Sequence, residues 1–216
     1  MQPDRWTVVI TGGAAIPAAA VGTMRTLGTS AVIAADGGLD HAVAAGVEPT
    51  HLVGDLDSLS AAGRMWAYAH GLAIDEHPAD KDRTDTELAL EVAAAIGTGG
   101  LLVVGGIGER IDHLLGILLA LGGTAAAHFD AVRAVIGTTE FAVVHEGRRA
   151  VLDLASGTTF SVLALHGACG HVEVHGAKWS LDGPLSPTEA RGISNIAEGP
   201  VTVVSRSGIV TVAVPS

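Results

Sequence analysis

The chain has 216 residues, 48% hydrophobic and 16% charged, with a formal net charge of −11. That length suits one large domain or two small ones, and the apolar share supplies a packed core and excludes a disordered chain. The 12 Lys and Arg stand against 23 Asp and Glu with no basic stripe, so a nucleic-acid binder working by phosphate neutralisation is excluded. Apolar stretches fall short of the roughly 18 residues of a spanning helix. The start MQPDRWTVVITGG carries no signal-type pattern, and the chain reads as a soluble cytoplasmic protein without a membrane partner. The single Cys169 excludes an intrachain disulfide and a cysteine-rich zinc site.

The first 120 or so residues alternate apolar runs with helix-like segments. Runs at 6–10, 31–35, 51–53 and 101–104, with a weaker one at 72–74, are rich in β-branched residues and do not alternate, as strands covered on both faces do. Helices are predicted between them. The clearest spans 84–96, where Thr84 is the N-cap and Glu87 completes a capping box. Another runs from about 109 to 121 and is apolar nearly all round, which predicts burial. This alternation gives an α/β fold whose first part is a largely parallel sheet with flanking helices.

The pattern changes after about residue 130. Short strand-like runs at 131–136, 141–145, 150–154, 159–165, 171–174, 201–205 and 209–214 are mostly separated by Gly-containing turns. They predict a small all-β sandwich. The expected domains are 1–137 and 138–216, with the run 131–136 assignable to either. Residues 180–200 read as a long strand-poor loop of the kind that is often functional.

The charge is uneven. Residues 31–90 hold 11 acidic and 3 basic side chains, so they carry −8 of the −11. Such a cluster is either a solvated surface or a carboxylate cage for divalent cations, and its place in the fold must decide.

Ligands of a parallel α/β sheet bind at the carboxyl ends of the strands. The four exits read Thr11-Gly12-Gly13, Asp36-Gly37-Gly38, Gly54-Asp55-Leu56-Asp57-Ser58 and Gly105-Gly106-Ile107-Gly108-Glu109-Arg110. Glycines such as Gly12, Gly37, Gly38, Gly106 and Gly108 let phosphates approach backbone N–H groups, and aspartates supply hard oxygens for Mg²⁺. On an extended backbone Asp55 and Asp57 would present both carboxylates to one side. The competing reading makes Asp57 a cap for a helix starting near Ser60. In the segment 80–85, Asp85 complements a helix dipole. Asp82, outside the N-cap, is not explained that way. Lys81, one of two lysines, is either solvated or holds a phosphate.

The turn 105–110 opens into a helix whose N-terminus suits an anion, with the Arg110 fork beside it. It is neither a Walker A loop nor a complete dinucleotide fingerprint, because Ile111 stands where a glycine would. Asp112 has three open roles: holding Arg110, binding metal or activating a hydroxyl. His113 reads as a packing residue, and His171 and His175 as surface. Trp179, at the entrance to 180–200, is either core or a platform for a cationic or aromatic ligand. Ser194-Asn195 alone is a turn.

The segments ADGGLDHAVAAGVEPTHLVGDLDS (35–58), KDRTD (81–85), GGIGERIDH (105–113) and GISN (192–195) together resemble the thiamine pyrophosphokinase family, in order across nearly the whole chain. The resemblance implies an α/β nucleotide-binding catalytic domain, a β-sandwich domain for thiamine binding and dimerisation, and a homodimer with thiamine at its interface. It implies transfer of the pyrophosphoryl group of ATP to the thiamine hydroxyl, giving thiamine diphosphate and AMP. By the same resemblance Asp55, Asp57 and Asp82 surround Mg²⁺. Asp36, Lys81, Thr84, Asp85, Arg110 and Asp112 line the nucleotide and reaction region, and Trp179, Ser194 and Asn195 contact thiamine. Two positions depart from the family pattern: Glu109 replaces a glycine, and Gly116 stands where Asn is common. Asp82 and Asp112 are both candidates for the base. Two other readings of the chain are a pyrophosphokinase for another small alcohol, such as a hydroxymethyl-pterin, and a non-catalytic nucleotide or thiamine binder.

Overall fold

The computed structural model describes residues 3–108 and 110–215. The chain divides into two compact units. One runs to Asp130 and takes up Ala134–Thr138; the other has Ala131–Arg133 and the chain from Thr139 onward.

The first unit contains β1 (Trp6–Ile10), α1 (Ala18–Thr26), β2 (Thr29–Ala35), α2 (Gly38–Ala44), β3 (His51–Gly54), α3 (Ala61–Ala69), β4 (Ala73–Glu76), α4 (Asp85–Ile96), β5 (Gly100–Gly105), α5 (Ile111–Ala120) and α6 (Thr124–Ala127). All pairings among β1–β5 are parallel, in the order β5-β1-β2-β3-β4. Every residue of β1 and β5 is buried, which is why these strands read as unbroken apolar runs. β4 is the edge strand and is largely exposed. The chain steps outward from β1 to β4 and then returns to the other side of β1 for β5. The carboxyl ends of β1 and β5 therefore flank a topological switch point, where such sheets bind ligands.

Thr84 caps α4 with the predicted capping box: its hydroxyl accepts from Glu87 N, and the Glu87 carboxylate accepts from Thr84 N at 2.8 Å. The expectation for α5 is overturned. Only Ile117 of this helix is buried, while Ile111 (70% exposed), Leu115 and Leu119 form an open stripe. An all-apolar helix cannot disclose from its sequence which flank its own chain covers. Ile117 and the following Leu121 face inward here, and one apolar side is left over.

β6 (Ala131–Ile136) is shared by the two units in sequence. The second unit continues with β7 (Thr139–Val144), β8 (Arg149–Leu152), β9 (Thr159–Leu163), β10 (Cys169–Ala177), β11 (Leu181–Leu185), β12 (Asn195–Ser207) and β13 (Val210–Pro215). Its pairings are antiparallel: β7 with β13, β13 with β9, and β12 with β8, β9 and β10, with β10 also holding β11. Val162, Val172, Val174, Val201, Val203 and Val212 meet in its core. The architecture is thus a mostly parallel α/β unit followed by an antiparallel strand-rich one.

The predicted loop 180–200 is shorter than expected. β11 occupies its start and β12 begins at Asn195. Gly183 and Pro184 argue against a strand in the sequence, but among the described residues β11 pairs with β10 alone, and an edge strand tolerates proline. No helix among the described residues is long and apolar enough to cross a membrane.

Candidate active site

The sheet register brings the strand exits to one edge of the first unit. A cleft of about 720 Å³ opens there, lined by Gly12, Asp36, Asp55, Lys81, Asp85 and Arg110 among others. Two glycines at the strand exits, Gly38 and Gly106, are close approaches. A Cβ on Gly38 would lie 2.3 Å from the Ile10 carbonyl oxygen, and one on Gly106 would lie 2.6 Å from Ala15 O. Only a residue without Cβ lets these turns pack at the mouth. Gly12, Gly106 and Gly108 line the cleft; Gly37 and Gly38 do not.

Asp36 follows β2 directly and sits at φ +47°, 9% exposed. Its Oδ2 accepts a short hydrogen bond from the Ser58 hydroxyl, while its buried Oδ1 has no hydrogen-bond partner. Burial pushes this carboxyl above the usual range, outweighing the bonds from Ser58 and Gly37; the nearby Asp85 and Asp55 add to the rise. One carboxylate oxygen each of Asp36, Asp55 and Asp57 lie within 4.8 Å of one another.

The Asp55-Asp57 pair does not converge through an extended backbone. Leu56, between them, is left-handed at φ +60°. Asp57 N donates to Asp55 Oδ1 at 3.3 Å, which folds the pair into a tight turn. A left-handed non-glycine residue costs about 1–2 kcal/mol. Burying the Leu56 side chain among Ala34, Leu39, Leu52 and Leu59 contributes about 1.5–3 kcal/mol and offsets it. The cap of α3 is Ser60, whose hydroxyl accepts from Gly63 N; Asp57 does not cap it.

Lys81 bridges Asp55 (2.8 Å) and Asp85 (3.0 Å). The hydrogen bond from Lys81 pulls Asp55 below the usual carboxylate range. Burial acts to lower the Lys81 ammonium, but its bonds to Asp55 and Asp85 outweigh that and hold it up. Gly54, at φ +142°, makes room for the group: a Cβ there would lie 3.0 Å from Asp85 Oδ1 and 3.1 Å from Asp36 Cβ. Asp82 is exposed, outside the cleft lining and outside the carboxylate trio. The structure brings Asp55 and Asp57 together with Asp36, not with Asp82. Thr84 lines the cleft as well as capping α4.

Arg110, before α5, donates to Asp112 from Nε (2.9 Å) and from a terminal nitrogen. This pairing holds the exposed Asp112 carboxyl down to about 2 and keeps Arg110 charged. His113, expected in packing, is exposed on the cleft lining, and Gly116 lines it with open space above its Cα. Glu109 lies outside the described residues. Ser58, the partner of Asp36, closes the GDLDS segment and carries no other mark in the sequence.

In the second unit Trp179 is 53% exposed, with the Lys178 ammonium 4.7 Å from its ring centroid. Asn195 is 4% exposed, and its amide is occupied: Nδ2 donates to Trp179 O (2.8 Å) and Oδ1 accepts from Trp179 N (3.2 Å) and Ile196 N (2.9 Å). Asn195 thus holds the Trp179 backbone. Ser194 is left-handed at φ +58°, and its N–H donates to Ser161 Oγ at 3.2 Å. His171 and His175 are exposed beside Asp182 and Glu173.

Residues 26–132 match the family model described as thiamin pyrophosphokinase, catalytic domain, and residues 149–210 match thiamin pyrophosphokinase, vitamin B1 binding domain. Among solved structures, thiamine pyrophosphokinase from Bacillus subtilis is 22% identical, covering 98% of this chain and 99% of that one with a TM-score of 0.81. Thiamin pyrophosphokinase from Geobacillus thermodenitrificans is 23% identical, over 98% and 97%, with a TM-score of 0.77. The yeast enzyme is 16% identical, over 100% and 87%, at 0.74. These structures share the fold. No curated protein matches the chain.

Proposed function

Since the chain belongs to the thiamin pyrophosphokinase family, we propose that it transfers the pyrophosphoryl group of ATP to the hydroxyl of thiamine, giving thiamine diphosphate and AMP, with Mg²⁺ as the metal. The observation that carries this reading is the carboxylate trio at the mouth of a glycine-lined cleft, in a chain that also has a vitamin B1 binding domain.

The donor set fits a hard cation: three carboxylates, one with a buried, unpartnered oxygen, beside space for phosphate and water. Asp36, Asp55 and Asp57 would hold it, and when bound it neutralises charge on the phosphates and on the leaving AMP. Asp82 remains outside this assignment because its carboxylate is not in the trio. Backbone N–H groups near Gly12, Gly106 and Gly108 receive the phosphate chain. Lys81 keeps Asp55 ionised and adds positive charge to an otherwise acidic edge. Arg110 supplies a charged fork, and Asp112 orients it. A carboxyl at about 2 is a weak base near neutral pH, so Asp112 serves Arg110 rather than taking the thiamine proton. Catalysis then rests on positioning and electrostatic stabilisation.

Trp179, exposed and already attracting one cation, offers its face to the cationic thiazolium, with Ser194 and Asn195 shaping its surroundings. The open stripe Ile111-Leu115-Leu119 supports a homodimer that covers it, to be read by sedimentation. The deciding assay incubates the protein with ATP, Mg²⁺ and thiamine and resolves the nucleotides. AMP and thiamine diphosphate in equal amounts are expected. ADP in place of AMP, or AMP release without thiamine, overturns the proposal, and a competing pterin alcohol tests the acceptor.

A further inference from the structure

We infer that Arg64 is a positioning residue that fixes the direction in which Asp55 and Asp57 present their carboxylates. The inference rests on the reading that those carboxylates hold a divalent cation.

The Leu56–Asp57 peptide is held on both edges. Its carbonyl accepts from an Arg64 terminal nitrogen at 2.9 Å. Its N–H donates to Asp55 Oδ1 at 3.3 Å. A peptide is planar, with C=O and N–H on opposite sides, so fixing the carbonyl fixes where the N–H points. Leu56 is left-handed, and rotation of the peptide that follows it is the relaxation open to such a turn. That rotation would withdraw the N–H from Asp55 and swing Asp57 on its other side. The Leu56 side chain, 1% exposed, anchors the residue but does not set the plane of the next peptide.

Arg64 reaches the loop from a rigid base. Its own N–H donates to Ser60 O at 2.9 Å in the first turn of α3. Ser60 is clamped in turn: Asp40 Oδ2 accepts from Ser60 N at 2.8 Å, and Asp40 Oδ1 from the Ser60 hydroxyl at 2.6 Å. Gly63 keeps this clamp closed, since a Cβ there would lie 2.3 Å from Asp40 Oδ1. The half-buried guanidinium thus carries the geometry of α2 and α3 to the Leu56–Asp57 peptide, one of the two that link the carboxylates. Supporting contacts of this kind orient metal ligands without touching the metal.

The test measures Mn²⁺ binding to the full-length protein without nucleotide, from the electron paramagnetic resonance signal of free Mn²⁺. Circular dichroism is recorded on every variant. Arg64→Met should bind Mn²⁺ about tenfold more weakly with its fold retained, and Arg64→Lys, which keeps a donor, should recover much of the loss. If Arg64→Met does not fold, Arg64→Gln, too short to reach the carbonyl, is read in its place. Asp57→Asn should abolish tight binding. Affinity within about twofold of the parent in Arg64→Met or Arg64→Gln, with Asp57→Asn binding lost, overturns the positioning role alone. Unchanged binding in Asp57→Asn overturns the cation reading beneath it.

Discussion

Gly38→Ala places one methyl group where the site has no room. The new Cβ would lie 2.3 Å from Ile10 O and 3.0 Å from Ile10 C and Thr11 C. Reaching even 3.0 Å from the oxygen needs a movement of about 0.7 Å. The obstacle is backbone of β1, which pairs with β2 on one side and β5 on the other, so the start of α2 must move instead. Overpacking of this kind costs about 1–3 kcal/mol, and replacing glycine by alanine in a helix returns about 1 kcal/mol. The net expectation is a loss of up to about 2 kcal/mol, or up to roughly 8 °C in melting temperature for a chain of this size. Asp36 lies two residues upstream of Gly38 and is carried along. A misplacement approaching 1 Å costs up to about a hundredfold in rate, so turnover of ATP and thiamine should fall by about ten- to a hundredfold. Gly22→Ala in α1 is the control, because nothing lies within 4 Å of its Cβ position and the helix gain alone remains. Calorimetry and a coupled AMP assay on both variants read the effect. Gly38→Ala with the parent's melting temperature and turnover would refute the close-approach argument.

Other outcomes follow from single contacts. Thr84→Ala removes the hydroxyl that caps α4 and should cost about 1 kcal/mol in urea unfolding; a loss no larger than that of an exposed mid-helix substitution would contradict the capping box. Asn195→Ala leaves Trp179 N and O without their partner and should cost about 2 kcal/mol while raising the thiamine KM more than the ATP KM; equal effects on both would separate Asn195 from the thiamine side. His166 has its pKa held below the ordinary 6.5 by burial, with His145 adding to the fall. Its unfolded form therefore takes up a proton at higher pH than its folded form, so its contribution is whole above pH 6.5 and is lost as pH drops through the window below. Melting temperatures from pH 7.5 to 5 should fall more steeply for the parent than for His166→Gln, and parallel curves would show that His166 does not titrate on unfolding.

The strands β1 and β5 were legible because complete burial leaves unbroken apolar runs, and α4 because its capping box is a local pattern of four residues. The carboxyl-end rule points to the cleft from the sequence, since chain direction alone says which residues follow a strand. Trp179 stands out by its place in the chain, but its exposure and the grip of Asn195 on its backbone arise only where the end of β10 meets the start of β12.

Sequence by itself determined the two-part architecture, the strand exits and the residue types from which the site is built, because each depends on neighbours along the chain. Only the tertiary structure decided which aspartates meet. Asp36 lies 19 residues before Asp55, yet parallel pairing of β2 with β3 brings their strand ends side by side, whereas Asp82, two residues ahead of the α4 cap, falls outside the trio. It also decided that α5 keeps an open face, since an apolar helix carries no mark of which side its own core fills. Local chemistry is written in spacing, but convergence is set by sheet order and register, and one sequence read linearly does not contain the distance between strands.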